Sequence, residues 1–186
     1  MKKPVIATLA AAAALLCAAP GHAQSDTTTT PQRPFLITVN PLGVLVDYYN
    51  IEFERALSDV TSISLAAEHS ATGDTDISAV DVRFRYYPQA RVFSGLALGA
   101  SLGYGSFDDT EEYSYDTPNG PVREVTGEDL AGPTLGLEVN YNWLVGRDRR
   151  LFVGLGIGAR RLLSGGNTSG PTIVPGGRYF GVGYTF

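Results

Sequence analysis

Leu135-Gly-Leu-Glu-Val-Asn-Tyr-Asn-Trp143 alternates without a fault, with apolar side chains at the odd positions and glycine, glutamate or asparagine at the even ones. Successive side chains of a β-strand point to opposite faces, so a period of two makes one apolar face and one polar face. The pattern recurs in both directions. Towards the N-terminus, Tyr49, Ile51, Phe53 and Leu57 stand against Asn50, Glu52, Glu54 and Ala56. Arg55 is the exception, near a strand end where a long side chain snorkels. Ile63, Leu65 and Ala67 then oppose Ser62, Ser64, Ala66 and Glu68, and Val80, Val82, Phe84 and Tyr86 oppose Ala79, Asp81, Arg83 and Arg85. Leu96 to Tyr104 alternates with glycine, alanine and serine; Leu151 to Ile157 alternates with Gly154, Gly156 and Gly158; Phe180 to Phe186 alternates with glycine and threonine. Such regularity excludes a helical protein.

The connections alternate in length. Those at Ser58-Asp59, Gln89-Ala90-Arg91 and Arg147-Asp148-Arg149-Arg150 are tight; Phe107 to Asp129 and Ser164 to Pro175 are long, and Ser70 to Asp76 is intermediate. Membrane-spanning barrels have short turns at one rim and longer loops at the other. With both chain ends on the short-turn side, one more strand must rise before Tyr49. Phe35 to Leu45 supplies it, with a bulge or bend at Pro41 and Gly43. The expected fold is all-β: an eight-stranded antiparallel up-and-down transmembrane β-barrel.

Alternation alone does not say which face is outside. A soluble barrel would put its apolar face inward around a greasy ligand. Three features favour the inverse. The polar face is small residues plus pairable charges, with Glu52, Glu54, Glu68, Asp81 and Glu138 against Arg83, Arg85 and Arg160. Aromatic residues gather near strand ends, as interfacial girdles require: Tyr86, Tyr141, Trp143, Tyr184 and Phe186 at one rim, Tyr104 and Phe180 nearer the other. The last strand also ends on phenylalanine.

The ending Phe180-Gly-Val182-Gly-Tyr184-Thr-Phe186 resembles the terminal signature of bacterial outer-membrane barrels. That resemblance implies an outer-membrane location and recognition of Phe180, Val182, Tyr184 and Phe186 by the barrel-assembly machinery. Asn40-Pro-Leu-Gly43 with Tyr49-Asn-Ile-Glu-Phe-Glu-Arg-Ala-Leu-Ser-Asp59 is similar to the opening hairpin of an uncharacterised group of small OmpA/OmpX-like barrels. The hairpin covers about a fifth of the exported chain and implies a fold, not an activity.

The N-terminus reads as a targeting segment. Lys2 and Lys3 precede an apolar run from Val5 to Ala19, and Pro20-Gly-His-Ala23 ends in the small-residue pattern of a signal-peptidase site. The run is short for a membrane span of ~30 Å. Residues 1–23 are therefore expected to be removed, leaving 24–33 as a Thr-rich flexible leader and 34–186 as the barrel domain. Acylation at Cys17 is the lesser alternative, because Leu16 stands where a lipoprotein signal has a small residue. The chain from Gln24 has 163 residues, one domain's worth, and no cysteine, which removes disulfides and thiol chemistry. Its 12 arginines face 19 acidic residues, a net charge of −7, so a basic nucleic-acid footprint is missing.

A search for catalytic groups finds little. His69 is the one histidine after residue 23; Glu68 and Ser70 flank it but point to the opposite face and cannot form a triad with it. Gly154, Gly156 and Gly158 lie at strand spacing, without the lysine and helix of a phosphate loop, and are expected to make room for Arg83, Arg85 and Tyr87. The acidic stretch Phe107 to Asp129 reads as a solvated surface loop; the sharper alternative is a recognition loop, or a weak divalent-cation site near lipopolysaccharide phosphates, but it lacks EF-hand spacing. No cofactor, metal site or catalytic residue is assigned. The expectation is a monomeric, non-enzymatic envelope protein in contact with outer-membrane lipid and lipopolysaccharide, with a lumen largely filled by side chains. A narrow gated channel using the Arg83/Arg85/Glu52/Glu138 network is the first alternative, and a rim hydrolase using His69 the second.

Overall fold

The computed structural model describes residues 33–72, 75–117, 120–163 and 173–186, with 72, 75, 108–117 and 120–129 described by their backbone alone. The expected signal segment, and the leader up to Pro31 and Gln32, lie outside these residues. The strands are β1 (Phe35–Val39), β2 (Tyr48–Ala56), β3 (Thr61–Thr72), β4 (Thr75–Tyr86), β5 (Gly95–Thr117), β6 (Gly120–Val145), β7 (Leu151–Leu162), β8 (Ile173–Pro175) and β9 (Phe180–Thr185). Each pairs antiparallel with its sequence neighbour through β7, while β8 and β9 both pair with β7 as two halves of one stave. β9 also pairs with β1, from Leu36↔Thr185 to Val39↔Val182, which closes the sheet into an eight-stave barrel. Closure leaves no lower edge to aggregate.

The alternation read from the sequence is the alternation of this wall. Glu52, Glu54, Arg83, Arg85 and Glu138 are buried inside, whereas Leu137 and Ile157 are 71% and 73% exposed outside. The outer surface carries aliphatic residues along every long stave, among them Ile51, Val82, Leu102, Leu135 and Leu155. A closed barrel that is apolar outside and ionic inside is the transmembrane kind, because pairing around the ring satisfies the wall's amides and an apolar band suits lipid. The soluble, greasy-cored alternative is thereby excluded. Tyr141 and Trp143 pack together at 4.8 Å near the short-turn end of β6, as an interfacial belt does.

Inside, size is matched across the ladders. Arg85 stands opposite Gly99, Asp81 opposite Gly103, and Glu138 between Gly99 and Gly158. A Cβ on Gly99 would come within 2.6 Å of the Glu138 side chain. An eight-stranded barrel is just wide enough for side chains to fill, so such pairing decides whether it packs.

Three expectations change. The first stave is shorter than Phe35 to Leu45: β1 stops at Val39, the Asn40 Oδ1 accepts from Gly43 N at 2.9 Å, and Gly43–Val46 forms a short 3-10 helix. Pro41 has no N–H for a ladder, and Asn40 offers the backbone a turn instead. Second, Phe107 to Asp129 is not an irregular loop, because β5 and β6 stay paired from Phe107↔Leu130 to Thr117↔Gly120. Two long strands already in register continue at little entropic cost when nothing interrupts their pairing. Third, the stretch Ser164 to Pro175 ends in strand β8; residues 164–172 lie outside the described ones.

Candidate functional site

The short-turn end of the lumen is floored by apolar groups. Leu36, Ala56, Tyr87, Phe93, Ala97 and Phe152 form one buried cluster, with Tyr87 and Phe93 edge to face at 6.5 Å. Phe93 comes from a turn, where its positive φ of 64° folds the ring back under the barrel. The turn at Ser58 is held by its hydroxyl, whose Oγ accepts from Val60 N at 3.2 Å and Thr61 N at 3.1 Å. The other short turn, at Gly146, has Arg149 N donating to Gly146 O at 3.2 Å.

Above this floor the charges form two linked tiers. In the lower one, Arg85 donates from Nε to Glu138 at 2.5 Å and from one terminal nitrogen to Glu54 at 2.8 Å and to Glu52. Glu54 also accepts from the Tyr87 hydroxyl at 2.7 Å and the Ser62 hydroxyl at 2.5 Å. In the upper tier Arg83 reaches Asp81 at 3.1 Å and Glu68 at 3.3 Å, and Arg160 pairs with Glu68 and, at 3.2 Å, with Asp81. Arg83 joins the tiers through Glu52 at 3.5 Å and Glu138 at 3.8 Å. All eight charged residues marked in the sequence therefore meet in one network, from β2, β3, β4, β6 and β7.

The network has a ninth member that the alternation hides. Arg178 is buried and donates to Glu54 at 2.6 Å and from Nε to Glu52 at 3.2 Å, with its guanidinium 4.8 Å over the Phe152 ring. Phe180, Val182 and Tyr184 belong to the outward row, and strict alternation would send Arg178 out with them. The ladder explains the difference. Between Ala159↔Pro175 and Leu155↔Phe180, β7 spends three residues and the last stave four, Gly176 to Tyr179. One extra residue is a β-bulge, and it flips the side-chain parity beyond it. Gly177 carries the strain at φ +119°, and Gly176 N to Gly158 O at 3.1 Å and Gly156 N to Tyr179 O at 3.0 Å hold the bulge to β7. The Gly176-Gly177 pair was the available signal.

Gly154, Gly156 and Gly158 do face the lumen, but not to accommodate Arg83, Arg85 and Tyr87. A Cβ at Gly154 would meet Asn142 and Phe152, at Gly156 it would meet Asn140 and the Arg178 carbonyl, and at Gly158 the Gly176 carbonyl. They clear space for β6 asparagines and for the bulge.

His69 sits exposed on the outer wall of β3. Glu68 turns inward, as expected, yet the neighbouring stave supplies a serine and an aspartate: Nδ1 of His69 lies 3.0 Å from the Ser78 Oγ and 3.4 Å from Asp76. Both use the same ring nitrogen. A working triad needs the serine on one nitrogen and the carboxylate on the other, so this cluster has hydrolase residues without hydrolase geometry. The ring stacks on Tyr49 at 6.4 Å.

At the assembly-signal end, Phe186 N donates to Phe35 O at 3.0 Å, Phe35 N donates back at 3.1 Å, and the two rings stack at 5.7 Å.

No protein-family model matches the chain, and no curated protein matches it either. Among solved structures, the N-terminal β-barrel domain of Pseudomonas aeruginosa OprF is similar, with 14% identity over 83% of this chain and 98% of that one and a TM-score of 0.46.

Proposed function

We propose that this chain is a non-enzymatic barrel of the bacterial outer membrane, with a structural or surface-interaction role and a lumen closed by its own side chains. The observation that carries the reading is Arg85, which is fully buried at mid-lumen and bound to carboxylates from β2 and β6 at once. Arg83 and Arg178, equally enclosed, and the apolar floor beneath support a lumen filled by side chains. Outer-membrane lipid and lipopolysaccharide are the partners this reading assigns to the outer wall, and the barrel-assembly machinery the partner of the Phe180 to Phe186 row during biogenesis. A monomer suffices, since each stave finds its neighbours within one chain.

Planar-bilayer recording tests the lumen: the wild type is expected to insert without discrete conductance steps. Reproducible steps in the wild type, altered in Arg85→Ala, would replace this reading by a narrow gated channel. Lipid-hydrolysing activity lost in His69→Ala would replace it by the rim hydrolase. Fractionation and a heat-modifiable gel mobility check the location, and a protein soluble without detergent contradicts it.

A further inference from the structure

The ring is complete at its short-turn end and open at the other. β1 stops at Val39, whereas β2 remains paired with β3 up to Tyr48↔Ser70 and β8 remains paired with β7 up to Arg161↔Ile173. Among the described residues no ladder joins β2 to β8; the chain there turns through the 3-10 helix Gly43–Val46, and Tyr48 reaches the Gly177 carbonyl at 3.5 Å. Prolines border the gap on both sides, Pro41 and Pro175, where an unpaired edge tolerates them.

Behind the 3-10 helix lies a cavity of about 490 Å3, within the range of roughly 300–1,000 Å3 typical of small-molecule sites. Leu42, Val46, Ile77, Pro175 and Phe180 make its wall. Tyr48 and Tyr179 make its floor, edge to face at 5.7 Å. The Tyr48 hydroxyl donates to Glu68 at 3.3 Å, on the lumen side. The two rings cover most of the chamber's lumen side, and Glu68 of the ion network, with Asn40 and Ser70, makes its polar edge.

Phe180 pairs with Leu155 and Pro175 with Ala159 on the β7 side of the seam, where the outward residues Leu155, Ile157 and Ile173 are apolar and exposed. The mouth carries Leu42, Val44, Leu45 and Val46, with Leu45 81% exposed. The opening, at the long-loop end, therefore adjoins the apolar outer wall and is lined by the same chemistry. An open sheet edge at membrane depth is tolerated only where something covers it.

We propose that this seam is a lateral binding site for one acyl chain of an outer-leaflet amphiphile, which enters beside the 3-10 helix and ends against the Tyr48 and Tyr179 rings. The inference rests on the membrane reading given above. The polar edge at Ser70 and Asn40 lies where the amphiphile's ester or amide region would sit.

The test uses protein purified from membranes and reconstituted in dioleoylphosphatidylcholine vesicles containing phosphatidylcholine with a diazirine at the end of one acyl chain. After irradiation, mass spectrometry maps the adducts. Leu137 and Ile157, exposed on the outer wall of β6 and β7, report contact with bulk lipid. The expected result is labelling of Tyr48 and Tyr179, at the end of the chamber, as well as of Leu137 and Ile157. Ile77→Trp, which fills the chamber, is expected to abolish the tyrosine adducts and leave the other two unchanged. Labelled Leu137 and Ile157 without labelled tyrosines would overturn the site while sparing the membrane reading. Tyrosine labelling undiminished in Ile77→Trp would also overturn it. If Leu137 and Ile157 themselves stay unlabelled, the membrane reading falls and the proposal with it.

Discussion

Arg85 and Arg178 put the same chemistry to two tests of legibility. Arg85 was readable, because its inward parity on β4 follows from Val82, Phe84 and Tyr86 on the other face. Its partners were not, since the sequence lists charges without saying which meet. Removing one member of a buried ion cluster leaves the rest charged and unpaired, which costs ~3–5 kcal/mol. Arg85→Ala leaves Glu52, Glu54 and Glu138 to share Arg83 and Arg178, and a loss of up to about that order is expected in urea titrations of the folded barrel in vesicles. Arg150→Ala, at the exposed rim where the side chain donates to the Tyr184 hydroxyl at 2.9 Å, should leave the urea midpoint close to that of the wild type. Equal effects of the two would mean that the network contributes nothing specific. Tyr48→Phe is smaller again: it deletes one hydroxyl at 3.3 Å from Glu68 and should leave the fold intact.

At the scale of elements, the bulge between β8 and β9 is the feature whose absence would matter most. It exists to turn Arg178 inward while Phe180 to Phe186 keep facing lipid. Deleting Gly177 restores equal residue counts on both strands and sends Arg178 into the apolar band, so the heat-modifiable folded form is expected to disappear. Gly177→Ala keeps the count but places a side chain at φ +119°, a strain of ~1–3 kcal/mol visible as a lowered urea midpoint. The outer part of the β5–β6 hairpin makes the opposite prediction. Pairing of β5 with β4 ends at Thr75↔Asp109 and that of β6 with β7 at Thr134↔Leu162, so beyond these the hairpin's ladder among the described residues is with itself. Replacing residues 112–125 by a tight turn should leave the unfolding midpoint unchanged. The hairpin's strand character was missed because its charged, proline-bearing composition resembles loop, while its conformation is inherited from the register below. The shortening of β1 was half legible: Pro41 and Gly43 marked the bend, and only the structure shows a 3-10 turn there.

For the whole molecule, closure is the decisive event. Phe186 exchanges two backbone hydrogen bonds with Phe35 and stacks on it, with Phe53 at 6.5 Å completing a three-ring seam. Deleting Phe186 should lower the yield of heat-modifiable barrel far more than trimming the hairpin does; equal yields would remove the assembly role from the last stave. What the sequence by itself determined was the pair of faces, the count of staves and the side of the wall on which each charge stands, Arg178 excepted. Those follow from a period of two and from connection lengths, properties that each short segment carries alone. What only the tertiary structure decided was the partnership inside. Glu54 and Arg178 are 124 positions apart, and they meet because a ring of fixed register brings β2 beside the last stave after a one-residue bulge has reversed its parity. The open seam and its chamber belong to the same class. They arise where β1 ends before its neighbours do, a relation among three strands that no single segment encodes.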